Sequence, residues 1–350
     1  MENTKKRIGV IFGGRSGEHE VSLMSAASVI RVLNTAKYEP VYIGITKDGA
    51  WKRFCGNADQ IEDGSWLASA LDLNPGELKS YIDFALPILH GPYCEDGKIQ
   101  GFFETMDIPY GGCGVLASAV AMDKQVARQV FLQAGLPMCR HTFLTRAQYR
   151  EDAQAVIAQI EETIGYPNFV KPANLGSSVG ISKARDRGTL EAALELAMRY
   201  DSRIIVEEFI DCRELETGIL GNDDPQAAEV GEILSTTEFY DYEAKYSEGF
   251  SRICIPAEIT ADDREAIRTM ALKAYKAIGG AGFCRVDFFK DRKTGKLYLN
   301  EINTIPGFTK YSMFPLLWAA AGVEYPDTVE RIIELGYERY YAENYRETVL

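Results

Sequence analysis

Residues 282–312, GFCRVDFFKDRKTGKLYLNEINTIPGFTKYS, constrain this chain more than any other stretch. Two runs rich in β-branched and aromatic residues, 284–290 and 296–302, flank a turn-forming Asp-Arg-Lys-Thr-Gly segment, which predicts a β-hairpin. Glu301 and Asn303 are two apart and so share a strand face, and the hairpin brings Asp287 near them. Three hard oxygen donors then converge, which suits Mg²⁺. Arg285 lies two before Asp287 and shares its face. The Ile-Pro-Gly-Phe run that follows breaks the strand and leaves the Gly307 amide to face a ligand. Taken alone, the same pattern also fits a solvated hairpin with ordinary surface charges.

At 350 residues the chain exceeds one small core, and two or three domains are expected. A net charge of −13 argues against a basic nucleic-acid-binding face, although a local basic pocket for a nucleotide stays open. No apolar run reaches the length of a membrane span, and the opening MENTKKRIGVIFGG does not read as a signal peptide. The seven cysteines are scattered and contain no CxxC pair, which points to reduced thiols in a cytosolic protein.

Residues 7–12 form a buried-strand pattern that runs into GGRSGEHE and a helix over 21–33, the opening of an α/β unit. The loop is neither a dinucleotide fingerprint nor a P-loop. Its Glu18 suits a ligand ammonium, or else caps the helix that follows; the same holds more weakly for Glu20. Further strands are expected at 40–46 and 82–89. His90, after the second, reads either as a catalytic base or as a structural histidine buttressing the loop. A first domain boundary is expected near Ser118.

One helix is expected over 119–133, carrying Lys124, and a second over 147–164. Lys171 ends a strand at 168–172, before a Gly/Ser loop that joins a strand at 181–184. Gly176, Ser177, Ser178 and Val179 in that loop offer amides and hydroxyls to phosphate oxygens, with Lys171 beside them. The 203–208 strand reads as an edge whose backbone and acids, Glu207 and Glu208 with Phe209 and Ile210 beyond, suit adenine and ribose, or as a simple strand end. Residues 238–249, aromatic and charged without a clear period, read as a lid, with Lys245 and Tyr246 at its end. Lysines in Gly/Ser settings, three oxygen donors, a lid and an acidic loop together fit phosphoryl chemistry on a Mg-nucleotide. A serine or cysteine hydrolase lacks its elbow and a paired histidine.

Seven segments in this order resemble the D-alanine–D-alanine ligases of the ATP-grasp superfamily. They are GGRSGEHEVS at 13–22, HGPYCEDGKIQG at 90–101, SAVAMDK at 118–124, VKPANLGSSVG at 170–180, YDYEAKY at 240–246, RVD at 285–287 and NEINTIPGFTKYS at 300–312. The resemblance implies an α/β and α+β, three-domain ATP-grasp enzyme: an N-terminal α/β domain over 1–118, a central domain over 119–212 and a C-terminal domain over 213–350. It implies two Mg²⁺ ions, with Mn²⁺ as a substitute, on Asp287, Glu301 and Asn303. ATP contacts are implied from Lys124, Lys171, Gly176, Ser177, Ser178, Val179, Glu207, Glu208, Phe209, Ile210, Glu214 and Lys245. Glu18 is implied to hold the first ammonium, in a hydrogen-bonded set with Ser177 and Tyr246, and His90 to line the substrate site. Arg285 and Gly307 are implied to steady an oxyanion, and Ser312 to hold the second carboxylate. A cytoplasmic homodimer acting in peptidoglycan synthesis is implied as well.

Two departures stand out. Cys94 occupies a position that is usually Gly, so the loop must be rebuilt if that position needs a positive φ. Lys310 replaces a smaller residue and either aids carboxylate binding or faces solvent. The relatives from glycopeptide resistance take D-lactate or D-serine as second substrate. Tyr246 disfavours lactate. GITKDG at 44–49 and NTIPGFT at 303–309 resemble the serine type, whereas an apolar Met313 favours D-alanine. A nucleotide-binding regulator without turnover is a further alternative.

Overall fold

The computed structural model describes residues 5–176, 179–235 and 251–344, and among them are three β-sheets. The first is built on Lys6–Gly13, which runs parallel to Tyr38–Ile45 on one side and Phe84–Leu89 on the other. From Ile8 onward this strand is buried on both faces, as a central parallel strand must be. Trp51–Phe54 and Leu71–Asp72 extend the sheet antiparallel. At the carboxyl end of Lys6–Gly13 the chain turns through Gly13 and Gly14, both at positive φ, into the helix His19–Val32.

The second sheet has the order His141–Thr145, Arg203–Glu208, Asn168–Pro172, Ser182–Ala184, all antiparallel. It keeps its own core, with Leu144, Ile157, Val170, Leu194 and Val206. The expected edge at 203–208 is therefore an interior strand, paired on both sides. Short apolar runs do not tell edge from interior, because both are buried.

The third sheet runs Ser251–Cys254, Gln226–Ser235, Cys212–Leu220, Phe283–Asp291, Leu297–Asn303. One face packs on Ala261–Ala277 and on two shorter helices, Val115–Met122 and Lys124–Gln133. The expected single helix at 119–133 is thus broken. Asp123 sits extended between the two pieces and accepts from the amides of Gln125 and Val126, both at 3.1 Å, as an N-cap does. Asp152 divides the expected 147–164 helix in the same way, into Arg146–Glu151 and Ala153–Thr163, by accepting from the Ala155 amide. Ser118, expected at a domain boundary, lies inside Val115–Met122, and that helix packs in the core of the third sheet.

The other face of the third sheet joins the first unit. Ile8, Val10, Phe12 and Phe84 of the first sheet share one core with Phe283, Phe308, Phe314, Leu317 and Ile332. The rings of Phe283, Phe308 and Phe314 lie 5.5–5.7 Å apart in all three pairs. Among the described residues no helix is long and apolar enough to cross a membrane.

Truncating Phe314, which is fully buried at this joint, is expected to cost about 3–5 kcal/mol. Urea unfolding of Phe314→Ala checks this: one cooperative transition at a lower midpoint is expected for both terminal units, and an unchanged midpoint contradicts the shared core.

Candidate functional site

The hairpin Phe283–Asp291 and Leu297–Asn303 pairs Arg285 with Asn303 and Asp287 with Glu301. Val286 and Ile302 turn into the core, so these four face the opposite side. The Arg285 guanidinium grips Asp287 with both prongs, Nε to Oδ1 and Nη2 to Oδ2, each at 2.7 Å. Asn303 donates to Asp287 Oδ2 at 2.9 Å. Lys124, at the first position of its helix, reaches Glu301 Oε2 at 3.5 Å and donates to the Leu175 carbonyl at 2.8 Å. A residue that the sequence reading passed over joins them: Glu216 Oε2 lies 2.9 Å from Arg285 Nε. Burial opposes the Arg285 charge, but Asp287 and Glu216 outweigh it and hold its pKa above the ordinary value.

This donor set fits a hard divalent cation. Asp287, Glu301 and Asn303 offer oxygens on one face, and positive charge already stands against both carboxylates. Among the described residues no three His, Cys, Asp or Glu side chains form a self-contained metal cluster. A cation here therefore needs oxygens from elsewhere, and nucleotide phosphates are the usual supplement for Mg²⁺.

The second sheet supplies a buried charge cluster. Glu207 accepts from Arg128 at 2.6 Å and from Lys171 at 2.8 Å. Burial alone would raise the Glu207 pKa. Arg128 and Lys171 more than offset it and bring it down to about 2. Arg128, itself buried, was invisible in the sequence: an arginine at helical spacing reads as surface. Glu208 alternates to the other side of the strand, where Arg140 Nε donates to it at 2.8 Å, so its side chain is not part of this cluster. The Glu208 amide donates to the Arg140 carbonyl at 2.9 Å and the Phe209 amide to the Pro167 carbonyl at 3.1 Å. Those two amides are thus engaged within the sheet rather than open to a base. The Phe209 ring packs 5.9 Å from Phe169 and lies under Lys183 Nζ at 3.6 Å. Ile210 follows as the chain leaves the strand, and Glu214 sits on Cys212–Leu220 opposite Ile233 and Phe289. The Val179 amide donates to the Gly176 carbonyl at 3.4 Å. Ser177, Ser178, Lys245, Tyr246 and the expected lid lie outside the described residues.

The first sheet contributes Glu18. This residue precedes the helix His19–Val32 without a side-chain capping hydrogen bond, so the capping reading fails. A Cβ on Gly91 would fall 2.7 Å from Glu18 Oε2, and one on Gly176 would fall 3.5 Å away. The carboxylate thus lies where the N-terminal loop, the His90 loop and the Gly/Ser loop meet. Glu20 is exposed and paired with Lys47.

His90 is a strut. Its Nδ1 lies 3.0 Å from the Ile305 carbonyl and its Nε2 3.1 Å from Ser25 Oγ. Ser25 also accepts from the Phe308 amide at 3.4 Å. Nδ1 facing a carbonyl carries a proton, and although burial disfavours a charged ring, Glu95, with Oε1 3.8 Å from Nδ1, outweighs it and holds the His90 pKa above its ordinary value. This chain ties residues 305–308, and with them Gly307, to the N-terminal unit. The base reading of His90 gives way to the structural one, because both ring nitrogens are occupied.

Gly307 lies close to Ser312: a Cβ there would stand 3.1 Å from Ser312 Oγ. Ser312 accepts from the Thr309 amide at 3.0 Å. Met313 is buried in the shared core and its sulfur abuts Gly231, so it does not line an open substrate pocket, and any effect on the second substrate is indirect. Lys310 is exposed and sits over the Tyr311 ring at 4.8 Å. Cys94 needs no rebuilt loop. The positive φ values fall at Gly91 (75°) and Tyr93 (68°), and the Cys94 sulfur packs against Gly14.

Residues 7–113 match the family described as D-ala D-ala ligase N-terminus, and residues 130–334 match D-ala D-ala ligase C-terminus. A D-alanine–D-alanine ligase of Acetivibrio thermocellus is 47% identical over 364 residues, covering 96% of this chain and 97% of the relative. One from Bacillus cytotoxicus is 45% identical, covering 96% and 97%. Among solved structures, the VanG D-Ala:D-Ser ligase from Enterococcus faecalis superposes with a TM-score of 0.86 at 36% identity, covering 95% of this chain and 100% of that one.

The low pKa of Glu207 sets a pH dependence. A carboxyl held below its usual value stabilises the fold above that value and loses the contribution as pH falls through about 4.5 toward about 2. Glu207→Gln is expected to lower the urea midpoint at neutral pH and to flatten its pH dependence across that window. Equal slopes for the variant and wild type contradict the cluster.

Proposed function

The chain belongs to the D-alanine–D-alanine ligase family, and on that premise we propose that it joins two D-alanines at the expense of ATP for peptidoglycan precursor synthesis. The family uses ATP and Mg²⁺. The observation that carries the reading is the single hairpin face that presents Arg285, Asp287, Glu301 and Asn303, with Lys124 beside Glu301.

In this reading Glu18 holds the ammonium of the first D-alanine. One oxygen of its carboxylate attacks the γ-phosphorus of ATP. The bond to the β,γ-bridging oxygen breaks and ADP departs, leaving an acyl phosphate. Lys124 and Lys171 meet the phosphates, and the same role is given to Ser177, Ser178 and Lys245. Two Mg²⁺ ions held by Asp287, Glu301 and Asn303 would neutralise the phosphate oxygens as Lewis acids. The second D-alanine is held through its carboxylate by Ser312. Its amine gives up a proton and attacks the acyl carbon. The oxyanion so formed lies between Arg285 and the Gly307 amide. Collapse expels inorganic phosphate with the C–O electron pair and leaves the peptide bond. Ser177 and Tyr246 act with Glu18 on the first substrate. Because His90 and Ser25 fix residues 305–308, they orient the Gly307 amide for this step.

D-Alanine is the favoured second substrate, since curated relatives that carry that name are 44–47% identical and cover 96% of this chain. A regulator without turnover would not need the buried charges on the hairpin. We propose a homodimer as the working unit.

Phosphate release is expected with D-alanine and not with L-alanine, and its absence from folded protein removes the reading. Offering D-alanine, D-serine and D-lactate together and weighing the products settles the second substrate: D-alanyl-D-alanine should dominate. Asp287→Ala and Glu301→Ala should each lower kcat by about 10³-fold or more, and near-normal turnover refutes their assignment.

A further inference from the structure

Arg285 is one cation serving two buried carboxylates. Its Nε lies 2.7 Å from Asp287 Oδ1 and 2.9 Å from Glu216 Oε2. Glu216 stands directly across the strand pair from Asp287, on Cys212–Leu220, and is 5% exposed. Asp287 is in addition the carboxylate that the reading above gives to a divalent cation, and Arg285 holds both of its oxygens. Arg285 takes one lone pair on each Asp287 oxygen and Asn303 a second on Oδ2, which leaves about one of the four for a cation, so a cation that binds there must weaken the guanidinium's grip.

We infer that Glu216 is the positioning residue that makes this exchange possible: it retains Arg285 when a divalent cation takes Asp287. The inference rests on the hairpin being the metal site. When the cation arrives, Arg285 loses its grip on Asp287 and faces a like charge at short range in a buried setting. Glu216 compensates that charge from the side away from Glu301. Once Asp287 is taken, the Nε hydrogen that now goes to Asp287 Oδ1 can turn to Glu216 Oε2, 2.9 Å away, so the freed Nη2 prong stays on the hairpin face where the oxyanion forms. Glu216 touches no reacting atom; it acts through Arg285. A neighbouring strand thus sets the metal affinity of the hairpin, and the sequence conceals this because Glu216 lies far from the RVD and NEIN segments.

The test uses the full chain with stoichiometric ADP and Mn²⁺ as probe, following free Mn²⁺ by electron paramagnetic resonance. Glu216→Gln keeps the shape and removes the charge, and it should weaken Mn²⁺ binding by at least about tenfold. Glu216→Asp keeps the charge and should recover most of the affinity, which a merely structural role for the residue does not predict. Wild-type affinity in Glu216→Gln overturns the inference and leaves the metal site standing. No Mn²⁺ bound by the wild type at this site overturns both. Should Glu216→Gln fail to fold, a wild-type structure with Mn²⁺ and ADP decides. Arg285 should be on Glu216 and off the metal-bound oxygens of Asp287; Arg285 still gripping Asp287, or gone from Glu216, overturns the inference.

Discussion

The register of one hairpin decides whether this molecule has a site. Strand side chains alternate with period two, so a slip of one residue would send Asp287 and Arg285 into the core and Val286 into the site. Leu299 and Ile302 both face the core although they are three apart, which strict alternation forbids. The irregularity after Asp287 resolves the conflict: Asp287 pairs with Glu301, but Phe288 pairs with Leu299, and Asn300 is left as the extra residue. The bulge lets the core keep both apolar side chains while Glu301 and Asn303 stay on the face of Asp287. Phe283, at the start of the hairpin, locks it to Phe308 and Phe314 in the core shared with the N-terminal unit.

The chemistry is stored as paired charges. Lys124 faces Glu301, Lys171 and Arg128 face Glu207, and Arg285 faces Asp287 and Glu216. A chain of net charge −13 can therefore receive a polyphosphate, because cations are concentrated at one place where carboxylates hold them ready. In the proposed function, binding Mg-nucleotide would be an exchange of partners: phosphates would take the lysines while the metal would take the acids. Burial makes each pair strong, and it also makes a lone partner costly.

Much of this was legible along the chain. The hairpin and the shared face of Arg285, Asp287, Glu301 and Asn303 followed from strand patterning and spacing, whereas a cation-binding role did not, since the same pattern fits a solvated hairpin. Lys171 at a strand end before a Gly/Ser loop was also readable. Asp123 and Asp152 carried a signal that was missed, since an acid ahead of a run of helix formers is an N-cap. Arg128, Glu216 and Ser25 were not legible. Each looks ordinary in its local window and acquires its partner from a segment 65 or more residues away (His90 for Ser25, Arg285 for Glu216, Glu207 for Arg128). Pairing across that distance is a property of the folded sheets. Edge and interior strands were confused at 203–208 for the same reason, and Met313 read as a substrate contact until packing placed it in the core.

In the proposed function, the hairpin, the charge cluster of the second sheet and Glu18 serve one reaction, in which a D-alanine carboxylate is phosphorylated before it is coupled. The most direct test follows an oxygen atom. D-Alanine labelled with ¹⁸O in both carboxylate oxygens should pass one label to each phosphate released, because the attacking oxygen leaves with phosphorus when the peptide bond forms. Unlabelled phosphate, released at the same rate, would mean that water rather than the carboxylate accepts the phosphoryl group and that no acyl phosphate forms.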